Sequence, residues 1–214
     1  MANDEKLKKS VLDELAWEPS VNPAHIGVTA ENGVVTLSGH VDTFAQKHAA
    51  ETAVRRVKGV KAVAEEIEVR LPFESKRGDD QIASAAADRL AWDPSIPETV
   101  KVKVENGRVT LDGQVGAYYQ KNAAQMAVRS LYGVVGVNDL ITIKPAVNTA
   151  KISEDIRHAL HRSWFFDPAI LVSADGGRVH LTGAVNSPYD RQIAATTAWA
   201  APGATSVQND IRVN

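Results

Sequence analysis

Hydrophobic and polar positions follow one order along the chain, and that order occurs three times. Each repeat opens with apolar residues four apart, the spacing of one α-helical face. A proline then ends each predicted helix, and an Asp or Ser three residues before each stripe is expected to cap it. The stripes are Leu7, Val11 and Leu15, then Ile82, Ala86 and Leu90, then Ile156, Leu160 and Trp164. The prolines are Pro19, Pro94 and Pro168, and the expected caps are Asp4, Asp79 and Ser153.

Two predicted strands joined by a tight turn follow each helix. Apolar and polar residues alternate on both sides of the turn, which indicates strands with one buried face. Asn-Gly or Gly-Gly at the turn supplies the positive φ that a two-residue hairpin requires. The turns are Asn32-Gly33, Asn106-Gly107 and Gly176-Gly177. In the first repeat the inward residues are Ile26, Val28 and Ala30 before the turn, and Val35, Leu37 and Val41 after it.

A second helix and a third strand complete each repeat. In the first repeat the second helix is predicted over residues 43–58 and ends at Gly59. Since a helix connects the second strand to the third, we expect these strands to be parallel through a right-handed crossover. The predicted fold is an α+β two-layer sandwich: three tandem α-β-β-α-β modules, each with a three-stranded mixed sheet and two helices on one face.

Identity between the repeats defines the predicted modules. A unit of about 60 residues is marginally stable alone, so we expect the modules to pack against one another. LAWEPS at 15–20 returns as LAWDPS at 90–95, and ENGVVTLSGHV at 31–41 returns as ENGRVTLDGQV at 105–115 and DGGRVHLTGAV at 175–185. We place module 1 at 1–71, module 2 at 72–145 and module 3 at 146–214, with linkers at about 72–79 and 145–151.

Four motifs recur in phase: the helix stripe, the glycine hairpin, a V-x-L-x-G-x-V strand and a G-V-x-x-V segment. In module 1 the strand motif contains Gly39, and the last segment begins at Gly59. In these motifs the chain resembles the BON domain family (bacterial OsmY and nodulation domain). The resemblance implies a phospholipid-interacting or envelope-stress module without defined catalytic residues. Such modules are common in osmotically induced periplasmic proteins, outer-membrane lipoproteins and pore-forming assemblies, and related ones are linked to ion sensing and chaperone-like roles.

Composition narrows the classes of function. The formal net charge of -2 gives no overall attraction to nucleic acid or to an anionic membrane. With no cysteine there is no disulfide, no thiolate nucleophile and no cysteine zinc site. The charged N-terminal segment lacks the apolar stretch of a secretory signal, which predicts a cytoplasmic location, or a periplasmic one if a leader has been removed. No apolar run is long enough to span a bilayer.

An aromatic residue stands at the end of each first helix: Trp17, Trp92 and Phe166. One interpretation is that they anchor the protein in the headgroup layer of a membrane, since indole combines an apolar body with a polar N–H. The alternative is that they close the end of the core between helix and sheet. The repetition fits both interpretations.

The first turn of each second helix combines an aromatic with a basic residue. A helix N-terminus favours anions, and an added cation strengthens this preference, so a phosphate headgroup is a candidate ligand. The alternative is an ordinary solvated helix start. The residues are Phe44 and Lys47, then Tyr118, Tyr119 and Lys121, then Tyr189 and Arg191. The basic cluster Arg55, Arg56, Lys58 and Lys61 is followed by Glu65, Glu66 and Glu68, which indicates a mixed surface.

Other combinations of residues give no catalytic or metal site. His158 and His161 beside Glu154 and Asp155 are expected to be solvent-exposed rather than metal ligands. No Ser/His/Asp arrangement or phosphate-binding glycine loop is evident, and we expect neither an enzyme nor a cofactor. The leading expectation is a protein that binds anionic phospholipid in osmotic or envelope stress. The alternatives are a soluble module responding to a monovalent or divalent cation such as K⁺, or a chaperone-like scaffold for protein partners.

Overall fold

The structure, a computed structural model, describes residues 2–144, 151–162 and 170–214. Within these residues each module has the predicted order of elements. Module 1 consists of α1 (Ala2–Trp17), β1 (Ile26–Glu31), β2 (Val34–Val41), α2 (Phe44–Arg56) and β3 (Ala62–Val69). Module 3 consists of α5 (Ile152–Arg162), β9 (Leu171–Asp175), β10 (Arg178–Val185), α6 (Pro188–Trp199) and β11 (Ser206–Val213).

Module 2 has the same order, but its second and third strands are each interrupted. Its elements are α3 (Asp79–Trp92), β4 (Lys101–Glu105), β5 (Arg108–Asp112), β6 (Gln114–Val115), α4 (Tyr118–Arg129), β7 (Gly136–Asp139) and β8 (Thr142–Ile143). Hydrogen bonds from Leu140 N to Leu111 O (2.8 Å) and from Thr142 N to Gly113 O (2.9 Å) join the strands across the interruptions.

Each sheet is mixed, as predicted. β1 pairs with β2 antiparallel, and β2 pairs with β3 parallel. The same pairing joins β9, β10 and β11 in module 3, and β4, β5 and β7 in module 2. Val35 and Leu37 of β2 are fully buried, whereas their neighbours along the strand are not. One face of the sheet therefore carries the core, and the two helices cover it.

Each module has its own hydrophobic core. In module 1 the core joins the stripe of α1, the alanine-rich face of α2 and the inward positions of the strands. The small side chains of Ala50 and Ala53, both fully buried, allow α2 to approach the sheet closely. The α+β two-layer sandwich therefore forms three times along the chain.

Glycines are needed at two kinds of place, the hairpin turn and a close approach of the backbone in the second strand. Both central residues of the first hairpin have positive φ, 53° at Asn32 and 86° at Gly33, the combination that a type I′ turn requires. Gly113 in the second strand of module 2 has a φ of 129°, and a Cβ there would lie 2.2 Å from Thr99 O. Gly39 is placed in the same way against His25 O, at 2.0 Å. The glycine of the strand motif is therefore required by the approach of the preceding loop.

The predicted ends of α1 and α3 are correct, but the predicted caps are wrong. α1 and α3 end two residues before Pro19 and Pro94, whereas Asp4 and Ser153 lie within the first turn of their helices. Asp79 is the first residue of α3, and its carboxylate accepts hydrogen bonds from the Asn106 and Gly107 amides, at 2.7 and 2.8 Å. It fixes the hairpin instead of capping the helix. Trp164, Phe166, Pro168 and most of the linker at 145–151 lie outside the described residues.

The modules contact one another in a closed cycle. Phe44 at the start of α2 packs against the core of module 2. Tyr118 at the start of α4 stacks on Trp199 of module 3, with ring centroids 4.9 Å apart. The start of α6 meets the end of α2, where Pro188 and Arg55 line one cleft. The expected packing between modules is confirmed, and each second helix begins beside the end of the next module's second helix.

Candidate functional site

The indoles of Trp17 and Trp92 are exposed, with 84% and 85% of their surface accessible. Each lies two residues beyond the last buried residue of its stripe, Leu15 or Leu90, and two residues correspond to about 200° around an α-helix. The side chains therefore point away from the core. The interpretation that these two residues close the core is wrong. Phe166, at the equivalent position of module 3, lies outside the described residues.

Acidic side chains flank Trp17. Arg56 of α2 donates to Glu14 and to Glu18, each at 3.1 Å, so one guanidinium joins two carboxylates. Hydrogen bonds from Ser20 and from Arg56 lower the pKa of the Glu18 carboxyl. Because one guanidinium pairs with two carboxylates, the surface around Trp17 carries one more negative than positive charge.

The surroundings of Trp92 are more apolar and more basic. The indole lies along a groove of about 570 Å³ that Arg89, Ala123 and Met126 also line. Met126 is 59% exposed, which is unusual for a large apolar side chain. Asp93 is the groove's acidic residue, and hydrogen bonds from Ser95 lower its pKa. Trp92 and Met126 form an exposed apolar surface beside the Arg89 guanidinium.

The lysines in the first turn of α2 and α4 contact their own module. Lys47 Nζ donates to Ile67 O at 2.7 Å and lies 3.1 Å from the Glu65 carboxylate. Lys121 makes the equivalent contacts, 2.5 Å to a carbonyl oxygen and 3.2 Å to the Asp139 carboxylate. We call this arrangement the brace, because it joins the second helix to the third strand. Both ammonium groups therefore have anionic partners within the protein.

The aromatic residues of these helix starts have different surroundings. Phe44 and Tyr118 lie at contacts between modules. Tyr119, the next residue, is 63% exposed. Tyr189 is partly buried, and Arg191 donates to Asn209 O at 2.7 Å. The aromatic-basic pairs predicted as headgroup sites thus also connect the protein internally, and their binding role stays a prediction.

Capping groups occupy backbone donors at these helix starts. Thr43 Oγ1 accepts from Gln46 N at 3.2 Å, and Ser187 Oγ accepts from Asp190 N at 3.1 Å. In module 2 the Gln120 side chain accepts from the amides that precede α4. Part of the anion preference of each helix start is therefore met by the protein itself.

Histidine and acidic side chains form no metal-binding group of three or more within the described residues. His158 Nε2 lies 3.8 Å from Glu154 Oε1, and both side chains are exposed. In the described parts of the chain, no helix is long and apolar enough to cross a bilayer.

Sequence reasoning missed Met126 and the residues that form the contacts between modules. Threonine occupies the positions equivalent to Met126 in the other modules, Thr52 and Thr196, so aligning the repeats identifies it as the apolar exception. The residues at the helix ends, Arg129 and Trp199, show no comparable signal. Their role depends on how the modules are arranged, which periodicity does not encode.

Comparison with known proteins agrees with the repeat. The family model described as BON domain matches residues 3–70, 78–145 and 148–214. The chain is 31% identical over 146 residues to the osmotically-inducible protein Y of Escherichia coli K12, covering 65% of this chain and 73% of that protein. It is 29% identical over 145 residues to a 21 kDa hemolysin of Actinobacillus pleuropneumoniae, covering 66% and 73%.

A solved structure that matches the chain is the C-terminal domain of CdsD, a structural protein of the type III secretion system of Chlamydia trachomatis. The match has 18% identity and a TM-score of 0.27 and covers 97% of each chain. The family model accounts for nearly the whole length, in the same three units as the fold. The chain therefore belongs to the BON domain family and contains three tandem copies of the domain.

Proposed function

We propose that the protein is a non-catalytic binding protein that associates with anionic phospholipid through Trp17 and Trp92 during osmotic or envelope stress. The observation that carries the proposal is the near-complete exposure of both indoles at equivalent helix ends. Exposure of an indole ring to water is unfavourable in free energy. Insertion into a headgroup layer buries the ring while the N–H keeps a polar partner. Similarity to an osmotically inducible protein supports the stress context.

The charges near the two indoles differ, and this difference predicts which indole binds an anionic membrane more strongly. Arg89 adjoins the groove of Trp92, and the exposed Met126 adds apolar area there. Glu14 and Glu18 flank Trp17, and one Arg56 pairs with both. Arg89 and Asp93 balance each other at Trp92, whereas the surface at Trp17 has an excess of negative charge, so an anionic surface repels the second arrangement more than the first. Trp92 is therefore the stronger anchor in this proposal.

Flotation with phosphatidylglycerol vesicles tests the proposal. Burial of one indole contributes about 2 kcal/mol, so Trp92→Ala should weaken binding by about thirtyfold, and Trp17→Ala should weaken it less. Both side chains are exposed, so the melting temperature should change little. Phe73→Ala is the matched control, because this aromatic is 86% exposed between modules 1 and 2 and lies outside both helix ends; it should bind like the wild type.

Three results would contradict the proposal, and two of them concern flotation of the wild type and of a double variant. One is that the wild type fails to float with anionic vesicles at low salt. The other is that the Trp17→Ala/Trp92→Ala double variant floats as well as the wild type does. Loss of binding in Phe73→Ala to the same extent would assign the effect to general surface hydrophobicity and would also reject these residues as the anchors.

A further inference from the structure

The three contacts between modules differ in how they are filled. Equivalent positions at the start of the second helices carry Phe44, Tyr118 and Pro188. Phe44 packs on the core of module 2, and Tyr118 stacks on Trp199. At the third contact Pro188 is too small to fill the space, and a cleft of about 460 Å³ lies between module 3 and module 1.

The brace is also different at this cleft. In modules 1 and 2 the basic residue pairs with a carboxylate, Glu65 or Asp139. In module 3 the position of this carboxylate is occupied by Asn209, which is neutral. Asn209 keeps the local backbone contact, accepting from Ile211 N at 3.2 Å, but it supplies no charge to Arg191. The Arg191 guanidinium donates to Asn209 O through Nη2, and its other donors have no hydrogen bond to a described residue.

Two more cations face the same cleft. Lys61 and Arg55 of module 1 line it together with Arg191, and none of the described residues that line it is acidic. The positions equivalent to Lys61 are Val135 and Thr205, so this lysine is specific to the third contact. The Lys61 backbone amide donates to Gly33 O at 2.7 Å, but within the described residues its ammonium group has no ion pair or hydrogen bond.

Nearby carboxylates compensate only part of this charge. Glu51 pairs with Arg55 at 2.5 Å along α2. Asp210, which accepts hydrogen bonds from His180 and Gln208 at 2.8 and 2.7 Å, also lies near Arg191 and offsets part of the charge of that guanidinium. The cleft therefore keeps uncompensated positive charge in a chain whose formal net charge is -2.

We infer that this cleft binds a phosphate-bearing anion. Guanidinium groups donate to two phosphate oxygens at once, and an ammonium group adds a third charge-assisted contact. The amide of Gln192 lines the cleft and offers a neutral donor, while Val63 and Pro188 provide an apolar wall for the organic part of the ligand. Free phosphate and a phospholipid headgroup share this chemistry, so both are ligands of the cleft in principle.

This inference goes beyond the proposed membrane association, because the cleft and the indoles belong to different elements. A soluble probe tests it separately. Isothermal titration with inorganic phosphate and with glycerol 3-phosphate measures binding without a vesicle. Flotation with phosphatidylglycerol vesicles then shows whether the headgroup in a bilayer reaches the cleft.

Two variants introduce into the cleft the residue types that occupy the equivalent positions of module 2. Asn209→Asp places a carboxylate beside Arg191, and Lys61→Val removes the unpaired ammonium group. Each should weaken glycerol 3-phosphate binding by about tenfold, the usual effect of losing one charge-assisted contact. Arg178→Gln is the control, because it changes net charge by the same amount at an exposed arginine that pairs with Asp175; its affinity should equal that of the wild type.

Each outcome decides the inference. Absence of heat with both soluble probes overturns it, even if vesicles bind, and the proposed membrane association then stands alone. Equal weakening in Arg178→Gln also overturns it, since binding would then follow net charge. Binding of the soluble probes that is lost in Lys61→Val but kept in Arg178→Gln supports the cleft, whether or not vesicles bind. Unchanged melting temperatures exclude misfolding as the cause.

Discussion

Gly39 and Gly113, the glycines of the strand motif in modules 1 and 2, have a steric role at the scale of single residues. Gly113 combines a positive φ with a position where a Cβ would lie 2.2 Å from Thr99 O. Backbone atoms surround this position, so the contact is not relieved by rotation of a side chain. The sequence marks the glycine through repetition, but only the fold shows that the loop before β4 makes it necessary.

Gly113→Ala is therefore expected to lower the free energy of unfolding by about 3 kcal/mol, from the cost of the left-handed backbone together with the clash. Urea denaturation followed by circular dichroism measures this. Gly116→Ala is the control in the same module, because its Cβ would meet only the Gln120 side chain, at 3.5 Å. Similar destabilisation of both variants would argue against the steric explanation.

Residue-scale reasoning also explains the indoles. The repeat alignment alone does not distinguish an anchor from a core residue, since both are repeated. Helical geometry does, because Trp17 and Trp92 stand two positions beyond Leu15 and Leu90 and so face the opposite side of the helix. Their exposure was thus accessible from the sequence, whereas the neighbouring Met126 and Arg56 come from another helix and required the structure.

Element boundaries were largely predictable. α2 was predicted over 43–58 and spans Phe44–Arg56, with Thr43 as its cap. The buried stripes, the hairpin turns and the parallel crossover follow from periodicity and turn chemistry. The caps of the first helices did not follow, because Asp79 binds the amides of a hairpin that lies far away in sequence. Periodicity describes how an element faces its own sheet and says nothing of such distant partners.

At the scale of elements, His48 in α2 makes the stability of the contact with module 2 depend on pH. His48 is partly buried against module 2, and burial together with the charges of Arg129 and Arg55 lowers its pKa below the usual 6.5, while Glu51 opposes the shift. The folded protein therefore takes up this proton less readily than the unfolded chain does. Stability present above the unfolded pKa is lost as the pH falls toward the lowered folded pKa.

His48→Asn should reduce this loss, since Asn122 occupies the equivalent position of module 2 and does not titrate. The measurement is the urea midpoint of both proteins at pH values between about 7 and 5, the range in which histidine titrates. The wild type should lose more stability on acidification than the variant does. Parallel pH profiles would show that His48 does not contribute.

At the scale of the whole molecule, aromatic contacts join modules that periodicity treats as separate. Tyr118 stacks on Trp199, which belongs to the next module. Burial of the Tyr118 ring raises the pKa of its hydroxyl, and the charge of Asp139 adds to this effect. The need for such contacts was predictable from the small size of each unit, but the residues that make them were not.

Tyr118→Ala should therefore destabilise the protein by about 2 kcal/mol through lost burial and stacking. Tyr119→Ala changes the adjacent residue, which is 63% exposed, and should cost less than about 0.5 kcal/mol. Thermal unfolding compares the two, and limited proteolysis shows whether module 3 separates. Equal effects of both substitutions would contradict a specific role of the stacked pair.

The cycle of contacts also restricts how such a chain can evolve. Units that meet head to tail close into a ring only when their rotations complete a full turn. Duplication of one module would leave the new copy outside the ring, and deletion of one would expose the two contact surfaces that it covers in the closed cycle. The number of copies in this chain is thus restricted by geometry, whereas single residues such as Pro188, Asn209 and Lys61 distinguish one junction from the other two without opening the ring.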